Sequence, residues 1–318
     1  MTAPDTFESL RPLLFSIAYR MLASVSDAED IVQDAYLRYQ HALERGVRVE
    51  STKSYLSALV TRLAIDSLRS ARAKRESYVG QWLPEPVLGD GGDPLSDSER
   101  AETISMAFLL LLQRLRPVER AVVLLHDVFG YGFGEIAPMV GKSEDHCRQL
   151  ALRARKHLET ERPRFDPSTE VKNELAGRFF AAVHDGNLDA LMQLIARDAV
   201  VYGDGGGKAP QWSKPIAGRE RVAELLVGVG TRLAQIGAAI ELRCINGQPG
   251  ALVFDRDSAL INVFAVDIAD GAVRTVRSVI NPDKLRHLGP LADIQALLQQ
   301  LRTKPGAFAP PSADRERR

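Results

Sequence analysis

The stretch that most constrains this chain is Glu135 to Leu158, EIAPMVGKSEDHCRQLALRARKHL. It reads as a helix, a glycine turn and a second helix with a basic end. Gly141 follows the apolar positions Ile136, Ala137, Met139 and Val140, where a helix stop belongs. Ser143, Glu144 and Asp145 supply an N-cap and an acidic first turn for a new helix. Cys147, Leu150, Ala151, Ala154 and Leu158 recur at helical spacing and form a buried stripe, with Arg148, Gln149, Arg153 and Lys156 lying away from it. This is the layout of a helix-turn-helix, whose second helix enters the DNA major groove. Taken alone, the segment also fits an ordinary helical hairpin with a solvated basic face.

A chain of 318 residues has room for about two or three domains. Its 45% apolar and 26% charged content belongs to the globular soluble class. No apolar run approaches the ~18 residues of a membrane span, and the N-terminal MTAPDTFESL predicts no signal peptide. Cys147 and Cys244 have no local Cys/His cluster beside them, which argues against a disulfide framework or a zinc site and fits a reducing cytoplasm. No cofactor or metal is expected. A net charge of zero excludes a uniformly basic nucleic-acid binder but leaves room for patches. Arg69, Arg72, Lys74 and Arg75 cluster, as do Arg148, Arg153, Arg155 and Lys156, while Asp27, Glu29, Asp30 and Asp34 form an acidic group. Such separation suits one DNA-facing side and one acidic side docked on a partner; solvated helix faces are the alternative.

Residues 7–75 read as three helices, about Phe7 to Leu22, a second to about Glu44, and Lys53 to Arg75. Ser26-Asp27-Ala28-Glu29 is a capping-box pattern that sets the expected start of the second. Residues 76–98 read as a linker, because Pro84 and Pro86 disfavour helix and Gly89 to Pro94 is a turn cluster. An exposed linker has little reason to carry Trp82 and Leu83, so these are expected to dock on a domain. A second helical unit follows over 99–162, in which Leu115-Arg116-Pro117 ends one helix and opens another. From Ser168 the texture changes to two helices, 169–185 and 188–196, and then β-rich segments. These are Ala199–Tyr202, Ala239–Cys244, Ala251–Phe254, Ala259–Asp267 and Val273–Ile280, with a helix at 218–235 and a hairpin signal at Asp270-Gly271. Helices followed by a curved antiparallel sheet make an α+β domain.

The N-terminal half resembles the extracytoplasmic-function sigma factors of bacterial RNA polymerase. Leu14 to Leu22 and Ala28 to Tyr36 look like the start of sigma region 2, and Thr61 to Arg69 like its end. Leu115 through Arg155 is similar to region 4. Trp82-Leu83-Pro84-Glu85-Pro86, Asp204-Gly205-Gly206-Gly207-Lys208 and Asn281-Pro282-Asp283-Lys284-Leu285 match the three signatures of the group with a SnoaL-like domain fused at the C-terminus. The resemblance implies a multidomain chain. Residues 1–76 would be the region 2 helical bundle, 77–98 the linker, and 99–162 the region 4 helix-turn-helix. A SnoaL-like α+β cone would occupy 168–290, and 291–318 a C-terminal helix and disordered tail. The chain departs from the family pattern at Arg62, where many relatives have Asn, at Leu150 and Leu152 in the recognition helix, and at Pro138.

The resemblance further implies a non-enzymatic factor that binds the RNA polymerase core and promoter DNA, and helps melt the promoter. Asp27, Glu29, Asp30, Gln33 and Asp34 would dock on the largest polymerase subunit, where acidic and amide groups suit a basic partner. Residues 44–52 would hold an unstacked base of the minus-ten element. Thr61, Arg62, Arg69 and Arg72 would hold phosphates. Arg148, Gln149 and Arg153 would read the minus-thirty-five element, with His146 and Lys156 on the same DNA surface. The extension would regulate in cis, with the loops of Asp204–Lys208 and Asn281–Leu285 lying near Trp82, Leu83 and Pro84. A small ligand or protein bound there would shift the population.

Two rival readings stand beside this one. An enzyme or ligand sensor would need an acid/base residue in the cone, for which Tyr202, Asp204, His184 and Asp255 are candidates without diagnostic spacing. Asp204 to Lys208 is not a phosphate loop, because it is one residue short and Ala209 replaces the Ser or Thr that would bind magnesium. A plain helix-turn-helix repressor would bind DNA without polymerase; two helical DNA units and an acidic docking helix favour the sigma reading.

Overall fold

The computed structural model describes residues 3–76, 78–89, 104–159 and 169–303. Three helices open the chain: α1 (Ala3–Leu22), α2 (Val25–Glu44) and α3 (Thr52–Glu76). Leu14, Ile17, Leu56 and Val60, on the expected stripes, are fully or almost fully buried. The start of α2 differs from the Ser26–Glu29 box. Its N-cap is Ser24, whose hydroxyl accepts from the Asp27 N–H at 3.1 Å. The remaining orphan amides are met by a residue 60 positions downstream: Glu85 accepts from Val25 N at 2.7 Å and Ser26 N at 3.2 Å. A carboxylate at a helix N-terminus is favoured by both hydrogen bonding and the helix dipole. Local sequence could not reveal a cap supplied from so far away.

The second helical unit contains α4 (Met106–Leu112), α5 (Pro117–Val123), a π-helical turn over Leu124–Val128, α6 (Phe133–Val140) and α7 (Glu144–Glu159). Pro117 occupies the first turn of α5, as its fixed φ suits. Gly141 ends α6 in the left-handed conformation at φ 65°, and Pro138 sits inside that helix. The two helical units pack against each other. Tyr19, Leu56 and Val60 of the first unit share one continuous core with Val122, Leu125, Ile136, Cys147 and Ala151 of the second.

The C-terminal domain begins with α8 (Thr169–His184) and α9 (Leu188–Leu194), the latter capped by Asn187. Then come β1 (Ile195–Asp204), β2 (Ile216–Ala217), α10 (Arg219–Ile236), β3 (Ala239–Ile245), β4 (Gln248–Phe254), β5 (Leu260–Ala269) and β6 (Ala272–Val279). A short α11 (Pro282–Leu285) and α12 (Ile294–Thr303) follow. The expected helix to residue 196 stops at Leu194, where the chain becomes β1. The sheet order is β2-β1-β6-β5-β4-β3. It is mixed rather than wholly antiparallel, because β1 runs parallel to β6. The connection from β1 to the rest passes through α10, so the β-only part of the pattern could not fix that direction.

The sheet buries both faces. One packs Val201, Val253, Phe264 and Val276 against Phe179, Phe180 and Leu226 of its own helices. The other packs Leu252, Val263 and Val279 against Leu83 of the linker, Met106 of α4 and Leu285. Alternation along the strands thus serves two cores, one of them between domains. Replacing Glu85 by Ala should accelerate amide exchange at Val25 and Ser26 by roughly five- to thirtyfold, the range for a lost cap of about 1–2 kcal/mol. Unchanged protection would mean that Ser24 alone suffices.

Candidate nucleic-acid interface

The linker is held from both sides. On the helical side, the Glu85 N–H donates to Ala23 O at 3.0 Å and the Tyr19 hydroxyl donates to Glu85 O at 2.6 Å. Burial holds the Tyr19 phenol well above its ordinary pKa, so it stays protonated. On the C-terminal side, the Leu83 N–H donates to Asp204 Oδ2 at 2.8 Å. Lys284 Nζ donates to the same oxygen at 2.7 Å and to Leu83 O. Tyr78 donates its hydroxyl to Asp204 Oδ1.

Asp204 is fully buried and Lys284 is 6% exposed, so each charge needs its full set of partners. Lys284 also faces the Trp82 ring at 4.3 Å and the Tyr78 ring at 5.0 Å, which compensates lost hydration. Burial, reinforced by the Asp204 bond, raises the Tyr78 pKa, so Tyr78 remains a donor. The three signature stretches, whose Leu83 and Asp204 are 121 residues apart and whose Asp204 and Lys284 are 80 apart, therefore meet around one ion pair.

Two glycines make this closure sterically feasible. A Cβ on Gly205 would lie 2.1 Å from Ala209 O, and one on Gly206, at φ +58°, would lie 2.2 Å from Asn281 Nδ2. Asn281 caps α11 through Asp283 N at 3.1 Å and donates to Tyr78 at 2.9 Å. Lys208 pairs with Asp283 at 2.6 Å, and that hydrogen bond holds the Asp283 carboxyl below its usual range.

A third holder was not legible as a site. Asn246, in the Asn-Gly turn between β3 and β4, donates to the Tyr19 hydroxyl at 2.7 Å and to Ile104 O at 3.0 Å, and accepts from Val87 N at 3.0 Å. Gly89 N then donates to Cys244 O at 3.0 Å. One amide therefore ties α1, the linker and the approach to α4 to the edge of the sheet. The Asn-Gly pair is a turn signal, but nothing local shows what its side chain will reach.

The acidic group of α2 presents Asp27, Asp30 and Gln33 to solvent. Glu29 pairs with Arg11 at 2.7 Å and Asp34 with Arg38 at 2.9 Å. Leu37, on the same helix, is 47% exposed. On α7, His146, Arg148, Gln149, Arg153 and Lys156 are all exposed, while Cys147 and Leu150 are buried. Arg148 is held by Asp145 at 3.1 Å and by Glu144.

The expected phosphate contacts of α3 are less open. Thr61 is fully buried, its hydroxyl donating to Ser57 O at 2.7 Å. Arg62 reaches the second unit, donating to Met139 O at 3.1 Å and Pro138 O at 2.6 Å. Ser57 Oγ lies 2.8 Å from the Tyr131 hydroxyl, and Lys53 stands over the Tyr131 ring at 5.5 Å. Arg69 is exposed and paired with Asp66 at 3.3 Å; the Arg72 side chain lies outside the described residues. The cone candidates do not converge. Asp204 serves the linker, Asp255 Oδ1 accepts from two amides of its own turn, and His184 pairs with Asp185 at the outer end of α8. Tyr202 packs on the linker-facing side of the sheet. No group of three metal-ligating side chains occurs among the described residues.

The geometry defines a class: two packed helical units, the second ending in a helix-turn-helix, clasped by a C-terminal α+β domain. Residues 6–74 match the family model for Sigma-70 region 2, and residues 105–158 that for Sigma-70, region 4. The chain is 38% identical over 290 residues to the ECF RNA polymerase sigma factor SigJ of Mycobacterium tuberculosis, covering 87% of this chain and 91% of that one. It is 27% identical over 277 residues to the probable ECF RNA polymerase sigma factor SigI of that species, covering 86% and 92%. The crystal structure of the Mycobacterium tuberculosis SigJ aligns with a TM-score of 0.72 at 35% identity, covering 91% of this chain and 99% of that one. The chain belongs to the ECF RNA polymerase sigma factors. No helix among the described residues is long and apolar enough to cross a membrane.

Two predictions follow from the clamp. Asp204→Asn leaves the buried Lys284 ammonium without its carboxylate and should cost about 3–5 kcal/mol in thermal or denaturant unfolding. The Asp204→Asn, Lys284→Met double variant should recover part of that loss; additive losses would show the pair to be uncoupled. Because Asp283 is held below its ordinary value of about 3.9, its pairing with Lys208 is complete above that value and lost as pH falls through the lowered one. A carboxyl chemical-shift titration should show this low midpoint, and Lys208→Ala should raise it.

Proposed function

We propose that this protein docks on core RNA polymerase through α2, grips a promoter at two points through α3 and α7, and is restrained in cis by its C-terminal domain. It acts by binding and strand opening rather than by covalent catalysis. Asp27, Glu29, Asp30, Gln33 and Asp34 face a basic partner. Arg62, Arg69 and Arg72 hold phosphates near the minus-ten element, and residues 44–52 hold an extruded base. Arg148, Gln149 and Arg153 contact the minus-thirty-five element, supported by His146 and Lys156.

The observation that carries the regulatory part is the double hold on Leu83 and Glu85, two residues apart. It fixes the linker between the cone and α1–α2 while α3 lies against α6. A single core of some 120 residues is about 35 Å across. Two promoter elements centred roughly 25 base pairs apart lie about 85 Å apart along B-DNA. The two units must therefore separate before both can engage. Arg62 exchanges the carbonyls of Pro138 and Met139 for DNA phosphate as they do so, since its fork suits either pair of oxygens. Trp82, Leu83, Pro84, Asp204–Lys208 and Asn281–Leu285 set the cost of that separation. A small ligand or protein preferring one arrangement would shift the balance.

Run-off transcription with core polymerase tests this with the full chain. Asn246→Gly keeps the turn's left-handed backbone but deletes the amide. It should lower the sigma concentration giving half-maximal transcript by roughly three- to tenfold, because less protein is trapped in the closed arrangement. An unchanged half-saturation point would remove the proposed restraint. Absence of any core-dependent transcript from the wild-type protein would instead remove the proposed promoter function.

A further inference from the structure

Leu152 is 70% exposed on α7, the most exposed of the large apolar side chains described. It does not belong to the stripe of Cys147, Leu150, Ala151 and Ala154, all of which are buried. At 3.6 residues per turn it stands between Arg148 and Lys156, four residues from each, and next to Gln149 and Arg153 around the helix. A lone apolar branch thus occupies the centre of an otherwise polar and cationic face. At that exposure it contributes little to the buried core. The surrounding charge makes this face complementary to a phosphate-walled groove rather than to an apolar protein surface.

Within the major groove, one base-edge group is apolar: the 5-methyl of thymine. We propose that Leu152 is a specificity-determining residue that reads a thymine methyl in the upstream promoter element. Arg148, Gln149 and Arg153 supply hydrogen bonds beside it. This assignment rests on the reading of α7 as the groove helix. It makes α7 a mixed reader, in which shape and methyl contact select one position and polar groups select its neighbours. Because Leu152 is exposed in the free protein, truncating it leaves the core intact.

The test uses full-length protein with core polymerase and a duplex pool randomised across the upstream element. Sites selected by the wild-type holoenzyme should contain thymine at one position. Replacing that thymine by deoxyuridine, which lacks only the methyl, should weaken binding about fourfold, as expected for one methyl group withdrawn from apolar contact. Leu152→Ala holoenzyme should bind the thymine and deoxyuridine duplexes equally. Both results together support the assignment. Indifference of the wild type to deoxyuridine at every selected thymine overturns it while leaving α7 as the groove helix. Full methyl discrimination by Leu152→Ala overturns it as well. Selection of no upstream sequence removes the groove reading along with it.

Discussion

The buried pair of Asp204 and Lys284 is the constraint on which the arrangement of this molecule depends. Neither charge is stable in an apolar interface unless its hydrogen-bonding capacity is filled. The groups that fill it come from the linker: Leu83 N–H and C=O, the Tyr78 hydroxyl, and the Tyr78 and Trp82 rings. The cone and the linker therefore complete each other. Once Leu83 is seated, Glu85 two residues on is delivered to the open end of α2. The same five residues thus finish a salt bridge in one domain and a helix cap in another.

This economy has a consequence for dynamics. A linker used twice cannot be released from one side without weakening its hold on the other. The polar contacts that α3 makes with the second helical unit are of a different kind. Arg62 binds free carbonyls at a helix end, and Ser57 meets Tyr131 through hydroxyls. Such contacts are readily exchanged for phosphate and water, whereas the buried pair is not.

Much of this was legible in the sequence, and the rest was hidden for definable reasons. The helix-turn-helix, the Asn187 cap, the Asp270-Gly271 hairpin and the docking of Trp82 and Leu83 follow from local pattern. The clustering of the three signature stretches followed from family resemblance, since no periodicity links residues 83, 204 and 284. The start of α2 differs from the local pattern because its N-cap is Ser24, backed by Glu85 from the linker, and the short β2 and the parallel β1–β6 pair escape because pairing partners are non-local. The burial of Thr61 and the capture of Arg62 were also out of reach. A helix face that suits phosphate suits backbone carbonyls equally well, and sequence does not say which is present.

The most direct test of the closed arrangement is a distance between spin labels at His41→Cys on α2 and His157→Cys on α7, with the exposed Cys244 replaced by Ser. In the free full-length protein the distribution should be narrow and no longer than about 35–40 Å, the span of one shared core. Adding core polymerase and promoter should move it beyond roughly 60 Å, as a grip on two elements requires. A free protein already at the long distance, or a complex still at the short one, would contradict the account.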